Sequence, residues 1–260
     1  MLLHWIESQP TTTIALIMLA GCYLLAVVVH LLVRLLGNGV WASELKATTP
    51  VMLTPLAVIL GLLIAFLAQR VWTNIDHANA YIGAETSALR QTVLLADALP
   101  REVGEPLRTL IKDHVNFVIA EDWVSMSSVE GSRDLPEMLA KAVLHVLAYS
   151  PTTPGQQIAQ EQIVVALNVA TTARLDRILL SESAISPLQW QVILVISVLI
   201  LITICMVHLD RPFTTMANLF VFSSAVATCL ILITVNDRPF AEGGIQLTPL
   251  AFEELARDLQ

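Results

Sequence analysis

Apolar and polar positions divide the chain into four long apolar stretches and one long polar insert. The apolar stretches cover roughly residues 12–36, 51–72, 190–209 and 213–235, and an insert of about 115 residues separates the second from the third. Each stretch has about 20 residues or more, enough at a rise of about 1.5 Å per residue to cross about 30 Å of hydrocarbon. The pattern therefore predicts an all-α membrane protein with four transmembrane helices in two pairs.

Composition supports a membrane environment. The chain is 55% hydrophobic and 14% charged, with a mean hydropathy of +0.70, whereas a soluble domain is about 25% charged. Cys22, Cys205 and Cys229 all fall within predicted spans, so no disulfide framework is expected. The first ten residues contain no Lys or Arg, and the apolar run after them exceeds that of a signal peptide, so we expect the first span to be retained.

The connections between spans suggest a topology. Asp210, Arg211 and Pro212 form hardly more than a turn, so spans three and four are expected to make an antiparallel hairpin. An even number of spans puts both termini and the insert on one face, and counting Lys and Arg near the spans favours a cytoplasmic insert by about one residue.

The insert has helical periodicity and no strand pattern of comparable strength. Span two is expected to continue as an amphipathic helix over Thr73–Leu99, followed by helices over about Glu102–Trp123, Leu135–Ala148 and Gln156–Glu182. A loop is expected over Met126–Arg133. We therefore divide the chain into a first transmembrane pair (1–72), a helical extramembrane domain (73–188), a second hairpin (189–236) and a C-terminal segment packing on the insert (237–260).

Charge and motifs exclude several classes of protein. The net charge is −8, and the insert contributes −6, from 8 Lys and Arg against 14 Asp and Glu between Thr73 and Leu188. This balance argues against nucleic-acid binding and against a polybasic surface that binds lipid. No nucleotide-binding, hydrolase or metalloprotease motif is present, so we predict no enzyme, no cofactor and no metal site within one chain. The pairs Asp113-His114 and Glu121-Asp122 are expected to be solvated.

Three segments together resemble the bestrophin pattern. The first runs from Leu60-Gly61 through Phe66, Arg70 and Trp72 into a helix carrying Ala78, Glu85 and Arg90. The second is Asn236-Asp237-Arg238-Pro239-Phe240, followed by Leu247-Thr248-Pro249-Leu250 and Phe252-Glu253-Glu254-Leu255. The third is Leu175-Asp176-Arg177-Ile178 before Ser186-Pro187-Leu188-Gln189-Trp190. They cover about half of the chain, in the family's order, and are similar to the bacterial bestrophin-like group.

The resemblance implies a homo-oligomer, a pentamer, in which span two of each subunit lines a central pore and the insert extends the conduit. It also implies a bacterial inner membrane, with the termini and the insert in the cytoplasm and with lipid, ions and other copies of the chain as partners. Such channels pass anions in animals, and bacterial relatives include cation-selective members. One departure is Ala241-Glu242-Gly243-Gly244-Ile245 where calcium-regulated members carry an acidic run, so calcium gating is not expected.

A stripe of small or polar residues follows span two at helical spacing. Aligning Arg70 with the family arginine turns this stripe toward the pore and gives seven candidate pore-lining residues, Thr54, Val58, Gly61, Ala65, Gln69, Thr73 and Asp76. The alternative is plain helix packing, because Gly61 and Ala65 also form a small-xxx-small motif. The sequence leaves both interpretations open.

Five further residues are expected to be structural or at interfaces, namely Arg70, Arg177, Asp237, Pro239 and Phe240. For Arg70 we consider a salt bridge to Asp237. The leading functional hypothesis is an ion channel of bestrophin type without an assigned ion, and the alternative is a non-conducting scaffold whose insert binds a cytosolic partner. A small-solute transporter is disfavoured because no charged residue lies near the centre of a span.

Overall fold

The structure, a computed structural model, describes residues 11–37, 50–127, 137–240 and 247–259. The regular secondary structure in these ranges is all helical, with turns between the helices and no strand. A 3₁₀ turn, Pro50–Met52, precedes α2, and a π-helical turn, Val118–Asp122, joins α3 to α4. The α-helices are α1 (Thr11–Gly37), α2 (Leu53–Ala96), α3 (Arg101–Phe117), α4 (Trp123–Ser127), α5 (Glu137–Leu147), α6 (Pro154–Ser181), α7 (Pro187–Val207), α8 (Pro212–Asn236) and α9 (Leu250–Asp258).

The four apolar stretches each form a helix long and apolar enough to cross a membrane, namely α1, the first part of α2, α7 and α8. The predicted all-helical class and the four apolar helices are thus confirmed. α2 is one helix of 44 residues, about 66 Å long and twice the thickness of a hydrocarbon core. The second apolar stretch therefore continues without a break into polar sequence, as its periodicity predicted.

The helix boundaries differ from the predictions mainly between α3 and α5. The predicted helix Glu102–Trp123 ends as an α-helix at Phe117 and continues through the π-helical turn, and the predicted loop is still helical up to Ser127. Residues 128–133 of that loop, Leu135 and the segment 241–245 lie outside the described residues. The helix expected over Gln156–Glu182 is α6, shifted by one or two residues.

The chain divides into two compact units. Unit 1 comprises Met1–Trp72 and Ala184–Asp237, and unit 2 comprises Thr73–Ser183 and Arg238–Gln260. In unit 1, α1 packs against α7 and α8, and its Tyr23 hydroxyl forms a 2.8 Å hydrogen bond with Ser224 while its ring stacks on Phe220 at 5.5 Å. A paired hydroxyl can be buried between apolar helices at little cost.

Unit 2 has a contiguous apolar core to which α2, α3, α5 and α6 contribute fully buried side chains. Leu89, Leu107, Val146 and Ile163, one from each of these helices, have no exposed surface. The C-terminal residues Phe240, Phe252 and Leu255 join the same core. Apolar residues at three- and four-residue spacing thus explain both why these helices form and how they pack.

Two helix starts are fixed by capping boxes. Thr153 at α6 and Ser186 at α7 each accept a hydrogen bond from the backbone N–H three residues later, and Gln156 and Gln189 bond back to the backbone of the capping residue. A proline occupies the first position of both helices, where its missing N–H has no intrahelical partner.

Gly104 marks the tightest helix approach in unit 2. A Cβ atom at Gly104 in α3 would lie 2.6 Å from the carbonyl oxygen of Ala96, the last residue of α2. That oxygen is backbone and cannot move without shifting α2. The short connection between α2 and α3 therefore requires glycine at this position.

We predict that Gly104→Ala lowers the free energy of unfolding by about 1–3 kcal/mol because the backbone must shift to make room for the methyl group. Gly83→Ala is the matched control: no atom lies within 4 Å of its Cβ position, and alanine is favoured by about 0.5–1 kcal/mol in a helix. The thermal unfolding midpoint of the detergent-solubilised proteins measures both effects. Equal midpoints for the two variants would contradict the close approach.

Candidate pore helix and a buried charge cluster

α2 is packed on one side only. Its buried residues recur at three- and four-residue spacing from the membrane part into the polar part, as Leu60, Leu67, Val71, Ile75, Ala78, Ile82, Glu85, Leu89, Thr92 and Ala96, and Thr86 and Ala88 flank them in the polar part. This seam occupies one side of a helix with 3.6 residues per turn. Most side chains on the other side are exposed in the described part of the chain.

The predicted pore-lining residues lie on the side away from this seam. Six of them are exposed, Thr54, Val58, Gly61, Ala65, Gln69 and Asp76, and Thr73 is half-buried. No atom of another described element lies within 4 Å of the Cβ position of Gly61, so none of the described helices packs closely there. The described helices therefore do not use Gly61 and Ala65 as a small-xxx-small packing motif.

The neighbouring face of α2 is bulkier and also exposed. Ile59, Leu62 and Phe66 are 47%, 54% and 69% exposed. The membrane part of α2 therefore presents two unlike open faces, one of small residues and one of large apolar residues. Large apolar side chains suit contact with lipid or another helix, whereas small side chains leave space next to the helix.

Arg70 is tied to the start of α7. Its Nη1 donates to Gln189 Oε1 at 3.0 Å, and its Nη2 donates to the carbonyl oxygen of Ala184 at 3.2 Å. Gln189 Oε1 also accepts from the backbone N–H of Ser186, so Arg70 braces the capping box of that helix. In the described part of the chain Arg70 thus bonds to the α7 entrance and not to Asp237, the partner considered from the sequence.

The residues after α8 are buried. Asp237 is 2% exposed and accepts a hydrogen bond from the backbone N–H of Ile185 at 3.1 Å. In unit 2, the carbonyl oxygen of Pro239 accepts from the N–H of Leu247 at 3.3 Å, and Phe240 is 3% exposed. The Pro-Phe pair therefore starts a segment that is anchored by its own backbone and by the core of unit 2.

Unit 2 encloses a cluster of four charged side chains, each at most 1% exposed. Arg174 donates from Nε and Nη2 to the two carboxylate oxygens of Asp122, both at 2.7 Å. Arg177 Nε donates to Glu85 Oε2 at 3.0 Å, and its Nη2 reaches Asp122 at 3.5 Å. Two carboxylates and two guanidinium groups balance, which is the condition under which burial of charge is tolerated.

His114 adds a fifth buried polar group to this cluster. Its Nε2 lies 3.3 Å from Glu85 Oε1, and its ring has no exposed surface. Burial alone would raise the pKa of the Glu85 carboxyl, but the positive charge of Arg177 and the hydrogen bond with His114 outweigh it and hold that pKa below its usual value of 4.5. Glu85 is therefore ionised at neutral pH.

Aromatic rings cover the Arg177 end of the cluster. The guanidinium carbon of Arg177 lies 5.3 Å from the ring centroid of Phe252 and 5.8 Å from that of Trp123. Trp123 in turn meets Phe240 edge-on at 5.5 Å. The C-terminal segment is thus held against the cluster by cation–π and edge-to-face contacts.

The cluster corrects the expectation that Asp122 and His114 are solvated, since they are 1% and 0% exposed. Their companions Asp113 and Glu121 are exposed. The cluster has the chemistry of a structural lock, with fully paired charges. Among the described residues no three His, Cys, Asp or Glu side chains are grouped so that they could hold a metal ion.

Comparison with known proteins identifies the family and the fold of the chain. A family model described as the Bestrophin-like domain matches residues 20–252. The crystal structure of a bacterial bestrophin homolog from Klebsiella pneumoniae, phased by Zn-SAD, superposes with a TM-score of 0.67 at 13% identity, over 94% of this chain and 96% of that one. Two single-substitution variants of the Klebsiella pneumoniae homolog give TM-scores of 0.66 and 0.67 at 14% identity, over 94% and 93% of this chain and 97% of theirs. No curated protein matches the chain in sequence.

We predict that acid destabilises unit 2 through Glu85. Because the folded-state pKa is lowered, the stabilisation by Glu85 is fully present above its unfolded value of about 4.5 and is lost as the pH falls through the folded-state pKa. Glu85→Gln should lower the free energy of unfolding at pH 7 by about 3–5 kcal/mol, because Arg177 loses its buried partner, and should flatten the acid limb of the stability curve.

Thermal unfolding midpoints measured from neutral to acidic pH report both the loss of stability at pH 7 and the slope of the acid limb. Glu137→Gln is the control, since Glu137 pairs only with Lys141 on the surface and its loss should change the midpoint little. An acid limb equally steep in wild type and Glu85→Gln would rule out Glu85 as its source.

Proposed function

Because the chain belongs to the bestrophin-like family, we propose that it assembles into an oligomeric ion channel whose pore is lined by α2. The coarser conclusion, an integral membrane protein with four apolar helices, stands independently of this proposal. Five copies, an inner-membrane location and a cytoplasmic unit 2 complete the proposal. They follow the family resemblance, and the expected partners are other copies, lipid and ions.

The observation that carries the proposal is the one-sided packing of α2. A helix alone in lipid would be expected to present large apolar residues on every open side, yet one open side of α2 carries Val58, Gly61, Ala65 and Gln69. Small and polar side chains are suited to the wall of an aqueous path formed by several copies. The bulkier face with Phe66 is then available for contact with lipid or with the next copy.

A second observation supports assembly of copies through unit 2. The outer side of α6 carries exposed apolar residues at helical spacing, Ile158, Val165, Val169, Leu175 and Leu179. No exposed residue between Gln162 and Leu179 is charged, although the insert as a whole is rich in charge. Exposed Asn168 and Thr172 and half-buried Asp176 lie among these residues, so the outer side is largely apolar with a few polar positions. A second copy of the chain is the occupant that fits a homo-oligomer.

We predict that the purified protein conducts ions in planar bilayers and that Ala65→Trp lowers its conductance by roughly an order of magnitude. A ring of indole side chains, one from each copy, would occlude an aperture lined by small residues. Leu24→Trp on α1 is the control, because Leu24 is 66% exposed and its helix is not proposed to line the pore. Unchanged conductance in Ala65→Trp would remove this face from the pore.

We predict that Val169→Glu lowers the mass of the detergent-solubilised particle from several copies toward one. A carboxylate at that position would be desolvated against the next copy without a partner. Leu144→Glu on α5 is the matched control, since Leu144 is 67% exposed and lies beside the surface pair of Glu137 and Lys141. Native mass spectrometry or mass photometry gives the copy number directly.

The two measurements also separate the channel from the alternative function. An assembled particle that passes no ion and copurifies with a defined soluble protein would favour a non-conducting scaffold. A wild-type monomer would contradict both the oligomer and the pore, because four spans without a buried charge do not enclose a water path alone.

A further inference from the structure

The charged side chains of α2 differ in whether they have a partner within the chain. The helix carries four of them, Arg70, Asp76, Glu85 and Arg90. Arg70 bonds to Gln189 and Ala184, Glu85 is buried against Arg177, and Arg90 forms a 3.2 Å ion pair with Asp258. Three of the four charges are therefore engaged within the chain.

Asp76 is the exception. It is exposed, and in the described part of the chain it makes no hydrogen bond, ion pair or ring contact. Its neighbour His77 points a different way, one residue further around the helix, and contacts the Tyr81 ring at a centroid distance of 6.0 Å. No side chain in the described part of the chain pairs with the Asp76 carboxylate, so it can act on whatever lies beside α2.

The position of Asp76 on the helix connects it with the candidate pore face. Gln69, Asp76 and Gly83 are each seven residues apart, which places them on one line along the helix. Further along that line the exposed residues are small and uncharged, Ala80, Gly83, Ala84 and Ser87. From Thr54 to Ser87 the exposed face of α2 thus bears a single acidic residue, and the exposed Trp72 lies one turn before it.

We infer that Asp76 determines the charge selectivity of the conduit: one carboxylate from each copy forms a ring that favours cations and repels anions. This inference rests on the proposed channel, because rotational symmetry alone brings the equivalent carboxylates to one level. Rings of Asp or Glu are a known physical means of selecting cations, since they raise the local concentration of positive ions where the path narrows.

The size of the effect follows from Coulomb's law. A carboxylate about 8 Å from a monovalent ion in water changes the occupancy of that ion by roughly a factor of two. The factors multiply around a ring of several copies and act in opposite directions on cations and anions. We therefore expect the cation-to-anion permeability ratio to fall by at least about tenfold when the ring is removed at low salt, where the screening length is about 30 Å.

The test is the reversal potential of the reconstituted full-length protein in a KCl gradient across a planar bilayer. Wild type should reverse toward the potassium equilibrium potential, Asp76→Asn should shift toward zero, and Asp76→Glu should retain the wild-type value. Asp113→Asn on α3 is the matched control, because it removes the same charge from another exposed position. The shift in Asp76→Asn should shrink in concentrated salt, where screening reduces the reach of each charge to about 3 Å.

The outcomes distinguish failure of the selectivity role of Asp76 from failure of the proposed channel function. Conductance with the same selectivity in wild type and Asp76→Asn overturns the role of Asp76 and leaves the channel intact. An anion-preferring wild type does the same. Absence of any current from correctly assembled wild-type protein overturns the channel itself, and the inference falls with it.

Discussion

The ion pair between Glu85 and Arg177 restricts how the helices of unit 2 can pack. Apolar side chains in the core of unit 2 tolerate small sliding movements, but a buried carboxylate displaced from its guanidinium partner would leave two uncompensated charges. The pair is extended by His114 from α3 and by Asp122 and Arg174, so that one register satisfies every charge. Proteins in which a buried ion-pair cluster is replaced by apolar residues are often as stable as the original. We therefore interpret this cluster as fixing the register of the helices and holding the C-terminal segment.

α2 is one continuous helix with an apolar part that can lie in a membrane and a polar part that belongs to unit 2. Its packed seam changes character along its length, from Leu60 and Leu67 in the apolar part to Glu85 in the polar part, without losing its three- and four-residue spacing. The same seam therefore meets apolar helices at one end and paired charges at the other. The opposite face carries small and polar residues, most of which are exposed.

The sequence predicted the helices well because apolar periodicity is a local property, and the order of its three segments pointed to the correct family. The sequence did not reveal the charge cluster, because Asp113-His114 and Glu121-Asp122 were each interpreted as one solvated pair. The two members of each pair in fact lie on different faces of the helix. His114 lies three residues after Ile111 and Asp122 lies four after Val118, so both interrupt an apolar stripe. A polar residue on such a stripe signals a buried partner, and that signal was present. The π-helical turn and the identity of each partner depend on tertiary contacts and could not be read from spacing.

One side of α6 faces the core of unit 2, and the other side is available for contact with a second copy of the chain. Its inner side places Ala170, Arg174 and Arg177 in the core, whereas its outer side presents Val165 and Val169. The inner charges prevent the helix from rotating about its axis, because rotation would expose apolar core and bury unpaired guanidinium groups. The outer apolar face is consequently held in a fixed direction before any second copy arrives, which lowers the ordering cost of association. Folding of unit 2 and assembly of copies are thus linked through a single helix, and disruption of the Glu85 cluster should weaken both.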